Sequence, residues 1–206
     1  MSNYHEYHKE FSRCTTNGEK FDLIRRIYRE QDEDIRKYNG MVCPYFLDWM
    51  CAFTPIEELA WCCIRDWWRK LQMFPQYPVG RYFIDFGDPI RRIGLECDGK
   101  QWHDTAKDTA RDAELLEIGW QIYRVTGAEC YRDVRDPGEL EYDGYEVSKD
   151  DRHRWYMMSV DGLLESIAVY HCGAYTLTPW YIASLRAHTL QDRKIEGWCE
   201  YDEDDE

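Results

Sequence analysis

Arg81-Tyr82-Phe83-Ile84-Asp85-Phe86, a turn at Gly87-Asp88-Pro89, and Arg92-Ile93-Gly94-Leu95-Glu96-Cys97-Asp98 decide how this chain reads. The first run alternates, with Tyr82, Ile84 and Phe86 on one face and Phe83 and Asp85 on the other, as a strand requires. The second run is short, apolar and bounded by turn residues, so the two predict a β-hairpin. Its arms carry Asp85 and Glu96 toward each other among bulky apolar neighbours.

Upstream, Thr54-Pro55-Ile56-Glu57 is a helix start. Thr caps free backbone N–H groups, Pro fits the first turn, and Glu57 completes a capping box. The helix predicted from Pro55 to about Leu71 buries Leu59, Cys62, Cys63 and Trp67 and exposes Arg65, Arg69 and Lys70. Phe74 to Val79, interrupted by Pro75 and Pro78, reads as an extended connection. Downstream, Thr105 to Ile118 has helical spacing and is closed by Gly119, and Trp120 to Val125 returns to strand character. The core order is helix, strand, strand, helix, strand, an α/β pattern.

Farther out, Leu23, Ile24, Ile27 and Ile35 mark an amphipathic helix opening near Phe21 and stopped by Asn39-Gly40, while residues 1–20 show no sustained period. After Glu129 the run Arg132 to Asp151 reads as an exposed connection. Ser159 to His171 and Pro179 to Leu190 read as helices appended to the core. The expected organisation is an N-terminal helical extension over 1–53, a core over 54–130 and a C-terminal extension over 131–206 ending in an acidic tail.

At 206 residues the chain suits one principal domain. Hydrophobic content of 44% supports a packed interior, and no apolar run approaches the roughly 20 residues needed to cross a bilayer. Met1 to Glu10 lacks the apolar core of a secretory signal, which predicts a cytoplasmic protein with no membrane partner. The nine cysteines, with no Cys-x-x-Cys pair, read as reduced thiols. A net charge of -14 opposes broad affinity for phosphates, but much of it is local, in Glu200 to Glu206 and Asp32-Glu33-Asp34. That acidic surface is also a candidate contact for a protein partner.

Two carboxylates on adjacent strands suit a divalent cation that acidifies water and neutralises charge during phosphodiester hydrolysis. Singly, each acid has a plain explanation: Asp85 as a turn partner, Glu57 as a cap. Together, Asp85, Glu96, Asp98 and His103 fall on two predicted strands and the following turn among bulky apolar residues, which favours a metal site.

Thr54 to Glu57, Pro78 to Phe86, and Leu95-Glu96-Cys97-Asp98-Gly99-Lys100-Gln101-Trp102-His103-Asp104 resemble the signature of the Vsr-like branch of PD-(D/E)xK nucleases. Arg111 and the run Leu116 to Val125 resemble the helix and final strand of that domain. The likeness spans about Thr54 to Glu129. It implies a restriction-endonuclease-like mixed β-sheet flanked by helices, with helical additions at both ends, and Mg²⁺- or Mn²⁺-dependent cleavage of DNA. It carries Asp85 over as metal ligand, Glu96 as its partner, Glu57 as helix carboxylate and His103 as a proton-transfer residue. The superfamily's lysine, two residues beyond the second acid, is replaced here by Asp98. Lys100, Gln101 and His103 are the candidates to replace it. For nucleic acid, Arg65 and Arg69 on one helix face, Gln101, and Trp102 as a stacking ring are candidates, against solvated or core roles for the same residues. DNA repair, mobile elements and phage or bacterial defence all fit the family. A nuclease fold that keeps only a binding role is the rival, and oligomeric state is left open.

Overall fold

The computed structural model describes residues 4–65, 71–99, 105–131, 159–173 and 178–189. Phe74–Val79 (β1), Tyr82–Asp88 (β2), Ile93–Asp98 (β3) and Gln121–Thr126 (β4) form one mixed sheet in the order β1-β2-β3-β4. The expected hairpin is β2–β3, in the register Phe86↔Leu95, Gly87↔Gly94 and Asp88↔Ile93. Its turn is organised by the buried Asp88, whose Oδ1 accepts the Ile90 and Arg91 N–H groups at 2.9 and 3.0 Å. Such Asx geometry lets a short polar side chain mimic a backbone turn.

Strand β4 runs parallel to β3, from Ile93↔Gln121 to Asp98↔Thr126. A parallel pair needs a long crossover, and Thr105–Glu117 (α4) lies on it. Strand β1 corrects the sequence reading, which made Phe74 to Val79 a connection on account of its prolines. It pairs antiparallel with β2 from Phe74↔Gly87 to Val79↔Tyr82. As an edge strand it tolerates prolines, because their missing N–H groups can face away from the ladder.

Pro55–Ile64 (α3) opens with the predicted capping box, in which Thr54 and Glu57 serve each other's backbone. Asn17–Lys37 (α2) begins four residues before Phe21, because Thr16 and Glu19 make a second such box. Tyr4–Phe11 (α1) falls in the stretch that showed no period. The short Gly127–Cys130 (α5) follows β4, and Val160–Cys172 (α6) and Pro179–Ala187 (α7) complete the described α-helices, with one 3-10 turn at Trp49–Cys51 before α3. No described helix is long and apolar enough to cross a membrane, and the eight described cysteines are free.

One core runs through all of these elements. Ile24, Ile27 and Ile35 of α2 and Leu163, Leu164 and Ile167 of α6 are buried in the same cluster as Ile84, Phe86, Leu95 and Val125. The Phe86 ring stacks on Trp61 of α3 at 5.9 Å. The outer helices therefore complete the interior around the sheet.

The two-residue alternation of the sheet breaks once. Tyr77 and Ile84 are ladder partners. A Cβ added at Gly87 would stand 2.9 Å from the Tyr77 Cβ, and one at Gly94 would stand 2.8 Å from the Ile84 Cγ2. Ile84 and Gly87, three residues apart, thus crowd one side, where a regular strand would place them on opposite sides. The break falls at Asp85 and Phe86. Across from Asp85 on β1 stands Gln76, whose φ is +48°.

Candidate carboxylate site

The β2–β3 ladder stops at Phe86↔Leu95, and the next residue on each arm is an acid, Asp85 and Glu96. Beyond that point side chains hold the arms. Asp85 Oδ2 accepts the Cys97 N–H at 2.9 Å. Arg111 reaches in from α4 and spans the fork, donating to the Phe83 carbonyl at 2.7 Å and to Glu96 Oε1.

Glu57 arrives from the first turn of α3. Its Oε2 accepts the Thr54 N–H at 2.6 Å and its Oε1 accepts from Gln76 Nε2 at 3.4 Å. The Glu57 carboxylate stands close enough to Asp85 to raise its pKa. Glu57 and Glu96 are 8% and 6% exposed, so the acids converge in a poorly solvated place.

That placement sets their protonation. Burial, and then the Glu57 carboxylate, push Asp85 up to about 7, against the Cys97 N–H and the Arg111 charge. Burial, and then Asp85, push Glu96 up to about 8, although Arg111 and Arg124 pull the other way. Acids crowded away from water favour their neutral forms unless positive charge is brought to them. Asp85 and Glu96 side by side therefore suit a hard divalent cation, which commonly takes one or two carboxylates and completes its shell with water. Among the described residues no three His, Cys, Asp or Glu side chains form a group that could hold a metal ion. Asp85 and Glu96 are the two of these acids that meet where the β2–β3 ladder ends.

Asp98 faces a different partner. Arg124 of β4, 1% exposed, donates through Nη1 to Asp98 Oδ1 at 2.7 Å and through Nε and Nη2 to Asp112 of α4 at 3.0 and 2.9 Å. Arg124 is also the ladder partner of Glu96. The position that carries the superfamily's lysine is thus part of an ion-paired network whose cation comes from the neighbouring strand.

Lys100, Gln101, Trp102, His103 and Arg69 lie outside the described residues. Arg65 stands at the far end of α3, about 12 Å along the axis from Glu57 at 1.5 Å per residue. It is exposed on the rim of an open groove of about 410 Å³ with Tyr45, Trp61 and Met73, a groove that none of the carboxylates lines. The sequence reading gave no role to Gln76, Asp112 or Arg124 and none to Arg111 beyond its place in the motif. A guanidinium amid a strand as apolar as Tyr123-Arg124-Val125 was the available signal, since a buried charge needs partners.

The family model REase_MTES_1575 matches residues 64–139. That range holds Asp85, Glu96, Asp98, Arg111 and Arg124 and leaves Glu57 outside it. An uncharacterized protein of Haemophilus influenzae is 30% identical over 93 residues, covering 43% of this chain and 77% of that protein. No solved structure matches the chain.

Proposed function

Since the chain belongs to this restriction-endonuclease-like family of the PD-(D/E)xK superfamily, we propose that it is an Mg²⁺- or Mn²⁺-dependent endonuclease that hydrolyses DNA. The observation that carries the reading is the meeting of Asp85 and Glu96 where the β2–β3 ladder ends, enclosed so far that both pKa values are raised despite Arg111. The run from Glu96 to His103 resembles the Vsr-like branch, and we take that likeness as support for a DNA substrate. The setting proposed is cytoplasmic, in DNA repair, mobile-element biology or defence between phage and bacterium.

The chemistry that a divalent cation supplies when bound there is Lewis acidity toward a phosphate oxygen and a more acidic water. Asp85 and Glu96 must both ionise to hold it. The Glu57 carboxylate disfavours the charged form of Asp85, which a cation bound there would offset. Arg111 fixes the Glu96 carboxylate by one nitrogen and ties it to the Phe83 carbonyl, which keeps the fork at constant width. Among the described residues, the positive charge acting on Glu96 comes from Arg111 and Arg124. Lys100, Gln101 and His103 are the residues proposed for proton transfer, of which His103 has the pKa range suited to neutral pH.

Cleavage of supercoiled plasmid, single-stranded DNA and RNA with Mg²⁺ or Mn²⁺ tests this, comparing the wild type with Asp85→Ala and Glu96→Ala. DNA cleavage lost in both variants is expected. A second reading, a nuclease fold kept only as a binding module, draws on Arg111 and Arg124 already satisfying Glu96 and Asp98. Folded wild-type protein that cleaves nothing and binds no Mn²⁺ would establish that second reading.

A further inference from the structure

We propose that Gln76 is a positioning residue of the carboxylate site, holding Glu57 and the break in the sheet so that Glu57 and Asp85 face each other. The inference deepens the nuclease reading and rests on it. Gln76 sits inside strand β1, yet its φ is +48°, in the left-handed region. A non-glycine residue there is strained, and such residues cluster where function fixes them.

The bend itself does not call for glutamine. Glycine would make it without strain, and an apolar residue would suit a position that is 8% exposed. The side chain instead carries a carboxamide to one particular partner. Gln76 Nε2 donates to Glu57 Oε1 at 3.4 Å, while the Thr54 N–H holds Oε2 at 2.6 Å. Each oxygen of Glu57 thus has a donor, one from its own helix cap and one from the far edge of the sheet. Without Gln76, Glu57 keeps its cap but can swing about it.

The bend also belongs to Asp85. Pro75 pairs with Phe86 and Tyr77 with Ile84, so Gln76 stands across from Asp85. The loss of alternation on β2 falls at that same place. One residue therefore sets both the strand geometry beside Asp85 and the orientation of the acid that meets it.

Two variants test this by calorimetric Mn²⁺ titration and by thermal unfolding in EDTA. Gln76→Gly relieves the strained φ, and Gln76→Asn tolerates it but is one methylene too short for Glu57. Both should unfold at or above the wild-type temperature, yet bind Mn²⁺ about tenfold more weakly, at the low end of the 10–100-fold typical for residues that orient metal ligands. Unchanged Mn²⁺ affinity in both variants, with a wild type that binds the ion, would overturn the role of Gln76 and leave the nuclease reading standing. Weaker binding accompanied by lower unfolding temperature in both would assign Gln76 to the fold alone and overturn it too. A wild type that binds no Mn²⁺ and cuts no DNA would remove the nuclease reading itself, and the inference with it.

Discussion

Asp85 and Glu96 hold protons to about pH 7 and about pH 8 in the folded chain, where an ordinary carboxylate has lost them by about pH 4. Between those limits the folded state binds more protons than the unfolded state, so stability falls as pH rises. The direction is opposite to that of a salt-bridged acid. In EDTA the unfolding temperature should therefore decline from about pH 5 to pH 8 through these two groups. Asp85→Asn removes one of them, and a scan of unfolding temperature against pH should show a flatter profile and a higher value at pH 8. The same variant should lose at least about a hundredfold in cleavage rate, since removing one directly acting group commonly costs that much. A steeper pH profile in Asp85→Asn than in the wild type would contradict the account.

At the scale of elements, Gly94→Ala puts a methyl group 2.6 Å from the Ile122 Cδ1 and 2.8 Å from the Ile84 Cγ2. Urea unfolding should show a loss of about 1–3 kcal/mol, the usual cost of overpacking. Arg124→Ala should cost more, about 3–5 kcal/mol, because it strands Asp98 and Asp112 without their cation. The β2–β3 hairpin and helix α4 were legible because alternation and helical spacing are properties of short windows. Strand β1 was not, since its prolines become acceptable only once the sheet order has put it at an edge. The same division separates the site residues. Asp85, Glu96 and Glu57 stand in local motifs, whereas Gln76, Asp112 and Arg124 acquire their partners through contacts that cross from one element to another. Gln76 left no sequence signal, because a positive φ is a property of the folded strand.

Across the whole molecule, the helices outside 54–130 behave as parts of the interior. Cutting the chain to residues 54–130 removes Ile24, Ile27 and Ile35 on one side and Leu163, Leu164 and Ile167 on the other, all fully buried or nearly so. That fragment should show no cooperative thermal transition, and a sharp transition would mean that the core is smaller than it looks. The crossover that makes β4 parallel to β3 also has a consequence for biosynthesis. Glu57, Asp85 and Glu96 are all translated before Arg111 and Arg124, and a ribosome delivers them in that order. The β2–β3 turn can close early, but its acids then wait, mutually repelling, for cations that the chain has yet to supply. A nascent chain stalled before residue 111 lacks the guanidinium that joins the Phe83 carbonyl to Glu96 in the folded protein.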